Sequence, residues 1–277
     1  MTLGYHGRQS IFFTALVFAF GMATAATADT PAVKPSAADA PKRVLFVGNS
    51  YLYYGDSLHN HVRRMAIAVD AEHEKQYRYK SATISGSALH HHNIASYLES
   101  GKLGIKEPFQ VVVLQGGSGA VGSDERRGAF AATVADFDKE IKKHGARTVL
   151  YMTHAYVKPH KKADPNMIRD IEKLYVETGN KVGALVIPVG LAFEEAYKQR
   201  PDMKLHKQFD GSHPDLIGTY LAACVVFASL YDRSPVGNPY DYYGAIDKDT
   251  VAFLQKVADK TVRAFYGKPL AEALSAK

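Results

Sequence analysis

Arg43-Val44-Leu45-Phe46-Val47-Gly48-Asn49-Ser50 is the stretch whose reading decides the fold. Val44 to Val47 form an unbroken apolar run, the pattern of a strand buried on both faces of a parallel sheet. Gly48 permits a tight exit from such a strand, and Ser50 follows at its tip. The predicted strand is Arg43–Val47, and four further β-branched runs join it: Tyr77–Ile84, Phe109–Leu114, Arg147–Met152 and Ala184–Val189.

Helical periodicity fills the intervals. Leu58, Val62, Met65, Ala66 and Val69 share one face, as do Phe130, Val134, Phe137 and Ile141 before Gly145, a natural helix stop. Asp164-Pro165 reads as an N-cap with proline in the first turn, opening a helix through Ile168, Ile171 and Tyr175. Further helices are predicted over Asp215–Leu230 and around Val251 to Phe265, the last packed outside the sheet. Strands alternating with helices specify an α/β fold, a doubly wound parallel sheet of about five strands with helices on both faces. Right-handed crossovers then bring every strand's carboxyl end to one edge. That edge carries Ser50, the Ser85-Gly86-Ser87 loop, the Gln115-to-Gly119 loop and Thr153-His154.

Residues 1–28 read as a signal peptide. Arg8 supplies a weak positive start, Ile11 to Phe20 a short apolar core, and Ala26-Thr27-Ala28 a small-residue cleavage site. The core is short of the roughly 20 residues a bilayer span needs, which favours cleavage after Ala28 and a periplasmic or secreted protein over an uncleaved anchor. No stable membrane span is expected after cleavage. Residues 29–41, rich in Pro, Ala and Ser, read as a flexible tether, and residues 42–277 as one domain. Cys224, the lone cysteine, excludes an intramolecular disulfide and reads as a small buried hydrophobe. The formal charge of +6 becomes +5 (6 − 1) without Arg8, and it is scattered. No basic stripe interleaves with aromatics, so nucleic acid is not an expected partner.

Two segments carry chemistry. Ser50 stands where the following helix N-terminus favours developing negative charge, although many serines after strands merely begin turns. Asp210-Gly211-Ser212-His213-Pro214 places a carboxylate two residues from a histidine, with Pro214 in the first turn of the next helix. Asp210 can orient one imidazole nitrogen while the other faces a serine; a capping Asp and a surface His would explain either residue but not the pair. Together Ser50, His213 and Asp210 are the groups that turn a serine into a nucleophile. His90-His91-His92 invites a metal reading, but consecutive residues point in different directions, so neither a metal nor a cofactor is expected.

The Gly48-Asn49-Ser50-Tyr51 turn after the first strand, with Asp210-x-x-His213-Pro214 before a late helix, resembles the SGNH (GDSL-type) hydrolases. The resemblance implies a three-layer α/β/α flavodoxin-like fold and ester hydrolysis through an acyl-enzyme. Ser50 would be the nucleophile, with Asp210 and His213 completing the triad. The oxyanion would bind the Ser50 and Gly86 amides. Asn49 stands where the family's first block has aspartate, and Val113-Leu114-Gln115-Gly116-Gly117-Ser118 replaces the usual asparagine block. That segment is similar to the Gln-Gly block of carbohydrate acetyl esterases and makes the Gln115 side-chain amide the third expected oxyanion donor. Tyr51, Tyr54, Ser118 and His154 are expected to contact substrate, in a narrow tyrosine-lined pocket, since the chain has no tryptophan. The substrate class implied is a small-molecule or glycan ester with a small, acetyl-type acyl group. A generalist short-chain or lipase-like esterase, an acyltransferase and a non-catalytic glycan-binding protein remain alternatives, and the oligomeric state is open.

Overall fold

The computed structural model describes residues 1–2 and 30–272, so the segment read as a signal peptide lies almost wholly outside the described residues. Five parallel strands, β1 (Arg43–Gly48), β2 (Arg78–Thr83), β3 (Val111–Leu114), β4 (Arg147–Tyr151) and β5 (Leu185–Ile187), pair in the order β2-β1-β3-β4-β5. Each falls within, or within one residue of, the expected run. Val44 sits beside Tyr79 on one side and Val111 on the other, which fixes β1 between its two neighbours.

Alternation along the strands divides the core. Val44, Phe46, Val111, Val113 and Tyr151 face α2 (Leu58–Val69), α7 (Leu216–Tyr231) and α8 (Lys248–Tyr266). Leu45, Val47, Val112, Leu114 and Leu150 face α3 (Ile94–Leu98), α4 (Asp124–Lys143) and α5 (Met167–Val182). The result is the expected three-layer α/β/α sandwich. Burying each such side chain contributes roughly 1.5–3 kcal/mol. Helix α7 is apolar all round and buried from Gly218 to Leu230, Cys224 included, because helices cover it as well as the sheet. Among the described residues no helix is long and apolar enough to cross a membrane.

Four local expectations change. Val189 does not extend β5 but opens α6 (Val189–Gln199), whose Ala192, Phe193 and Ala196 form a buried face. Helix α5 begins at Met167, not after Asp164, because the Asp164 carboxylate accepts the Asn166 amide at 2.8 Å and forms a turn of its own. Pro214 lies outside α7: Asp215 is the N-cap, accepting the Leu216 amide at 2.8 Å, and Pro214 pairs with His206 in an isolated bridge.

The fourth concerns the tether. Residues 30–41 lie along the domain instead of hanging free. Asn180 brackets them, accepting from the Ala32 amide at 2.7 Å and donating to the Thr30 carbonyl at 3.0 Å. Lys268 donates to the Pro35 carbonyl, Arg147 pairs with Asp39 at 3.4 Å, and Tyr231 donates to the Pro41 carbonyl. Pro31 and Pro35 are buried, and Val33 packs against the core. Proline's fixed φ lowers the entropy lost in docking such an extended segment. A chain starting at Lys42 should therefore unfold about 1–3 kcal/mol more easily than one starting at Thr30, measured by urea denaturation.

Candidate active site

Strand β1 ends at Gly48, whose missing Cβ is required: an added carbon would lie 2.5 Å from the Gln115 Oε1. Asn49 then caps α1 (Ser50–Tyr53), its Oδ1 accepting the Tyr51 amide at 3.1 Å, while its Nδ2 donates to the Ser87 carbonyl at 2.9 Å. An aspartate could make the first bond but not the second, which gives Asn49 a reason to stand here. Ser50 is thus the first residue of a helix, where the amide has no intrahelical acceptor.

The second segment arrives from 160 residues downstream on the α7 side. Asp210 Oδ1 accepts the amides of Ser212 at 2.8 Å and His213 at 3.1 Å, and Oδ2 lies 2.5 Å from His213 Nδ1. His213 Nε2 is 2.8 Å from Ser50 Oγ. Partial burial raises the Asp210 pKa, but the bonds from the His213 ring and from both amides outweigh it, leaving the carboxyl below the ordinary aspartate value. Gly211 has φ +64°, and a Cβ there would lie 2.1 Å from the Val157 carbonyl oxygen, so only glycine lets the Asp210–His213 turn close against the loop after β4. Tyr54 stacks on the imidazole at 4.1 Å and Tyr51 meets it edge-on at 5.8 Å.

Ser50, Gly86, Ser118 and His213 line one cavity of about 460 Å³, with Asn49, Tyr51, His90 and His91 also on its walls. The Gly86 amide has no hydrogen-bond partner among the described residues. Such a chain of serine, imidazole and carboxylate beside free backbone amides can move a proton off the serine and stabilise an oxyanion.

Three expected site residues are elsewhere, and one of them, Tyr54, is off the cavity wall, stacked on the His213 ring. Gln115 is not in the cavity: its Oε1 accepts the Asn49 amide at 2.9 Å and its Nε2 donates to the Gly116 carbonyl, so it supports the turn from beneath. Buried beneath the turn and off the cavity wall, its amide is not placed as a third oxyanion donor. His154, 1% exposed, is also out of the cavity. It lies between Tyr51 and Phe193, stacked on each at 4.4 Å, and its Nε2 donates to the Ser212 carbonyl at 2.8 Å. Burial holds it well below the ordinary histidine pKa, and so neutral. The three consecutive histidines also divide: His92 turns inward to Ser87 Oγ and the Tyr97 hydroxyl, away from His90 and His91. Sequence reasoning passed over Asn49 as a side-chain donor, Ser87, His92 and His206; only Asn49, by its departure from the family's aspartate, left a signal.

The fold of the chain is that of the SGNH hydrolases. A protein from Slackia heliotrinireducens assigned to them superposes with a TM-score of 0.53 at 21% identity, over 68% of this chain and 98% of that one. A DUF4886 family protein from Bacteroides uniformis gives 0.56 at 21% identity, over 84% and 98%. An acetylxylan esterase from Geobacillus stearothermophilus, in a catalytic serine-to-alanine mutant, gives 0.51 at 17% identity, over 68% and 94%. No family model and no curated protein sequence matches the chain.

Two predictions follow from this packing. Burial lowers the His206 pKa from 6.5 to about 4 and holds the His154 pKa well below the ordinary histidine value. Between pH 6.5 and about 4 the unfolded state takes up protons on these histidines more readily than the folded state, so stability falls as pH drops through that window. Acidification from about pH 7 to about pH 5 should cost about 2 kcal/mol through His206, with a further loss through His154, in urea titrations. Gly211→Ala should lower the unfolding free energy by about 2 kcal/mol or more, and it should disturb the His213 imidazole resonance before the fold is lost.

Proposed function

We propose that the chain is a serine ester hydrolase working through an acyl-enzyme, with Ser50 as nucleophile, His213 as general base and acid, and Asp210 as the carboxylate that orients it. The observation that carries this reading is the unbroken hydrogen-bonded chain, 2.8 Å from Ser50 Oγ to His213 Nε2 and 2.5 Å from His213 Nδ1 to Asp210.

In the first half-reaction His213 Nε2 takes the Ser50 proton as Oγ attacks the ester carbonyl. The oxyanion forms against the Ser50 and Gly86 amides, and one such donor is worth roughly 3 kcal/mol. His213 then gives its proton to the leaving alcohol oxygen as the C–O bond breaks, leaving the acyl group on Ser50. Water repeats the sequence, losing its proton to His213, and Ser50 Oγ leaves with that proton. Asp210 stays ionised throughout and stabilises the imidazolium, consistent with its lowered pKa.

A compact acyl group together with a small carrier fits the cavity of about 460 Å³ beside Ser50. The acetylxylan esterases among the structural neighbours support acetyl as that group and carbohydrate as its carrier. Secretion, inferred from residues 1–28, suits a carbohydrate substrate outside the cytoplasm.

Ser50→Ala should abolish turnover of p-nitrophenyl acetate and covalent labelling by a fluorophosphonate while the melting temperature stays near wild type; retained turnover refutes the assignment. Asp210→Asn keeps an acceptor for the Ser212 and His213 amides but turns an NH₂ toward Nδ1, forcing the wrong tautomer. It should lower kcat roughly 10³–10⁴-fold in steady-state assays.

A further inference from the structure

We propose that the cleft is built for an acidic carbohydrate ester, and that Arg126 pairs with a carboxylate on the sugar. The proposal rests on the ester-hydrolase reading for its reaction, but not for its binding preference.

Among the described residues Arg126 is the one permanently charged side chain on the cavity wall, and no aspartate or glutamate lines it. Asp210, the carboxylate nearest in function, stands behind the His213 ring. Asp124 and Glu125, the chain neighbours of Arg126, are absent from the wall, and Asp124 is paired with Arg127 at 2.6 Å. Among the described residues the Arg126 guanidinium donates to no carboxylate or carbonyl, while its backbone amide donates to the Ser123 cap.

The loop beneath it is shaped to receive it. A Cβ on Gly119 would lie 3.1 Å from the Arg126 Nη1 and one on Gly122 3.5 Å from the same atom. A side chain at Gly119 would press on the guanidinium, while one at Gly122 would only touch it, so the guanidinium lies across this loop at the wall of the cavity. Helix α4 fixes the other end, with Ala129, Phe130 and Thr133 following Arg126 along the same wall. The guanidinium thus lines, with no partner of its own among the described residues, a cavity of about 460 Å³, the size of a small sugar ester. Carboxylate is the group that a guanidinium fork fits bidentately, and a neutral sugar would leave it unpaired.

The test uses an acetylated uronic-acid oligosaccharide as the free acid and as its methyl ester, two probes that differ at the carboxyl group alone. Wild-type protein should hydrolyse the acid with a kcat/KM roughly tenfold or more above that of the methyl ester, and added salt should narrow the gap. Arg126→Gln should bring the ratio near one, and Arg126→Lys should retain part of it. A wild-type ratio near one, or a ratio unchanged in Arg126→Gln, overturns the proposal while leaving ester hydrolysis standing. Calorimetric binding of both probes to Ser50→Ala, with and without Arg126→Gln, reads the preference without turnover. Tighter binding of the acid that depends on Arg126 supports the proposal even if no hydrolysis or fluorophosphonate labelling is seen; equal or undetectable binding of both forms overturns it.

Discussion

Burial of β1 between β2 and β3 is the constraint on which the rest of the structure depends. A strand paired on both edges and covered on both faces must be apolar throughout, and Val44 to Val47 are completely buried. The same position makes its carboxyl end special. Connections leave β1 and β3 toward opposite sides of the sheet, so a crevice opens between them in folds of this order. Gly48, Asn49 and Ser50 emerge into that crevice, and the backbone bonds of the turn are closed by neighbours on both sides: Gln115 from β3 and Ser87 from the loop after β2. A serine that would otherwise be a mobile surface group is thereby fixed relative to the Gly86 amide.

The acid–histidine segment is held by different physics. Its turn is short, polar and set at the domain surface, and it gains rigidity from a stack of rings beneath it. Tyr51, His154 and Phe193 lie face to face, His206 meets His154 edge-on, and the Tyr51 hydroxyl bonds Ser212 Oγ at 2.8 Å. His154 and His206 are kept neutral by desolvation, so they contribute area and directed N–H bonds without placing positive charge beside His213. A protonated His154 would oppose the imidazolium that the proposed reaction forms.

How far the residues alone reached follows from which forces are local. The β-branched runs located all five strands, since continuous apolar sequence has few other uses at that length. Errors gathered at element ends. Asp164 looked like a cap but bonds its own turn, Pro214 looked like a first-turn proline but precedes the cap, and Val189 continued an apolar run that actually switches to α6. At each of these positions two local structures have similar propensity, and contacts from distant residues choose between them. Residues 30–41 have the composition of a tether, yet Asn180, Lys268, Arg147 and Tyr231 supply partners that no composition reveals.

The sequence by itself determined the strand order's raw material, the serine after β1, and the Asp210–His213 pair, because each depends on residue type and short spacing. Only the tertiary structure decided what the side chains between those landmarks do. Gln115 and His154 both stand at strand ends on the ligand-binding edge, where residue type suggests a donor facing substrate. The fold turns each away, Gln115 under the Asn49 amide and His154 into an aromatic stack, because an unsatisfied backbone amide or an unfilled space beside the site would cost more than a polar side chain gains by facing solvent. Arg126 is the reverse case: an ordinary charged residue in a helix by its sequence, it becomes part of the cleft only because the fold sets the start of α4 beside the turn that carries Ser50.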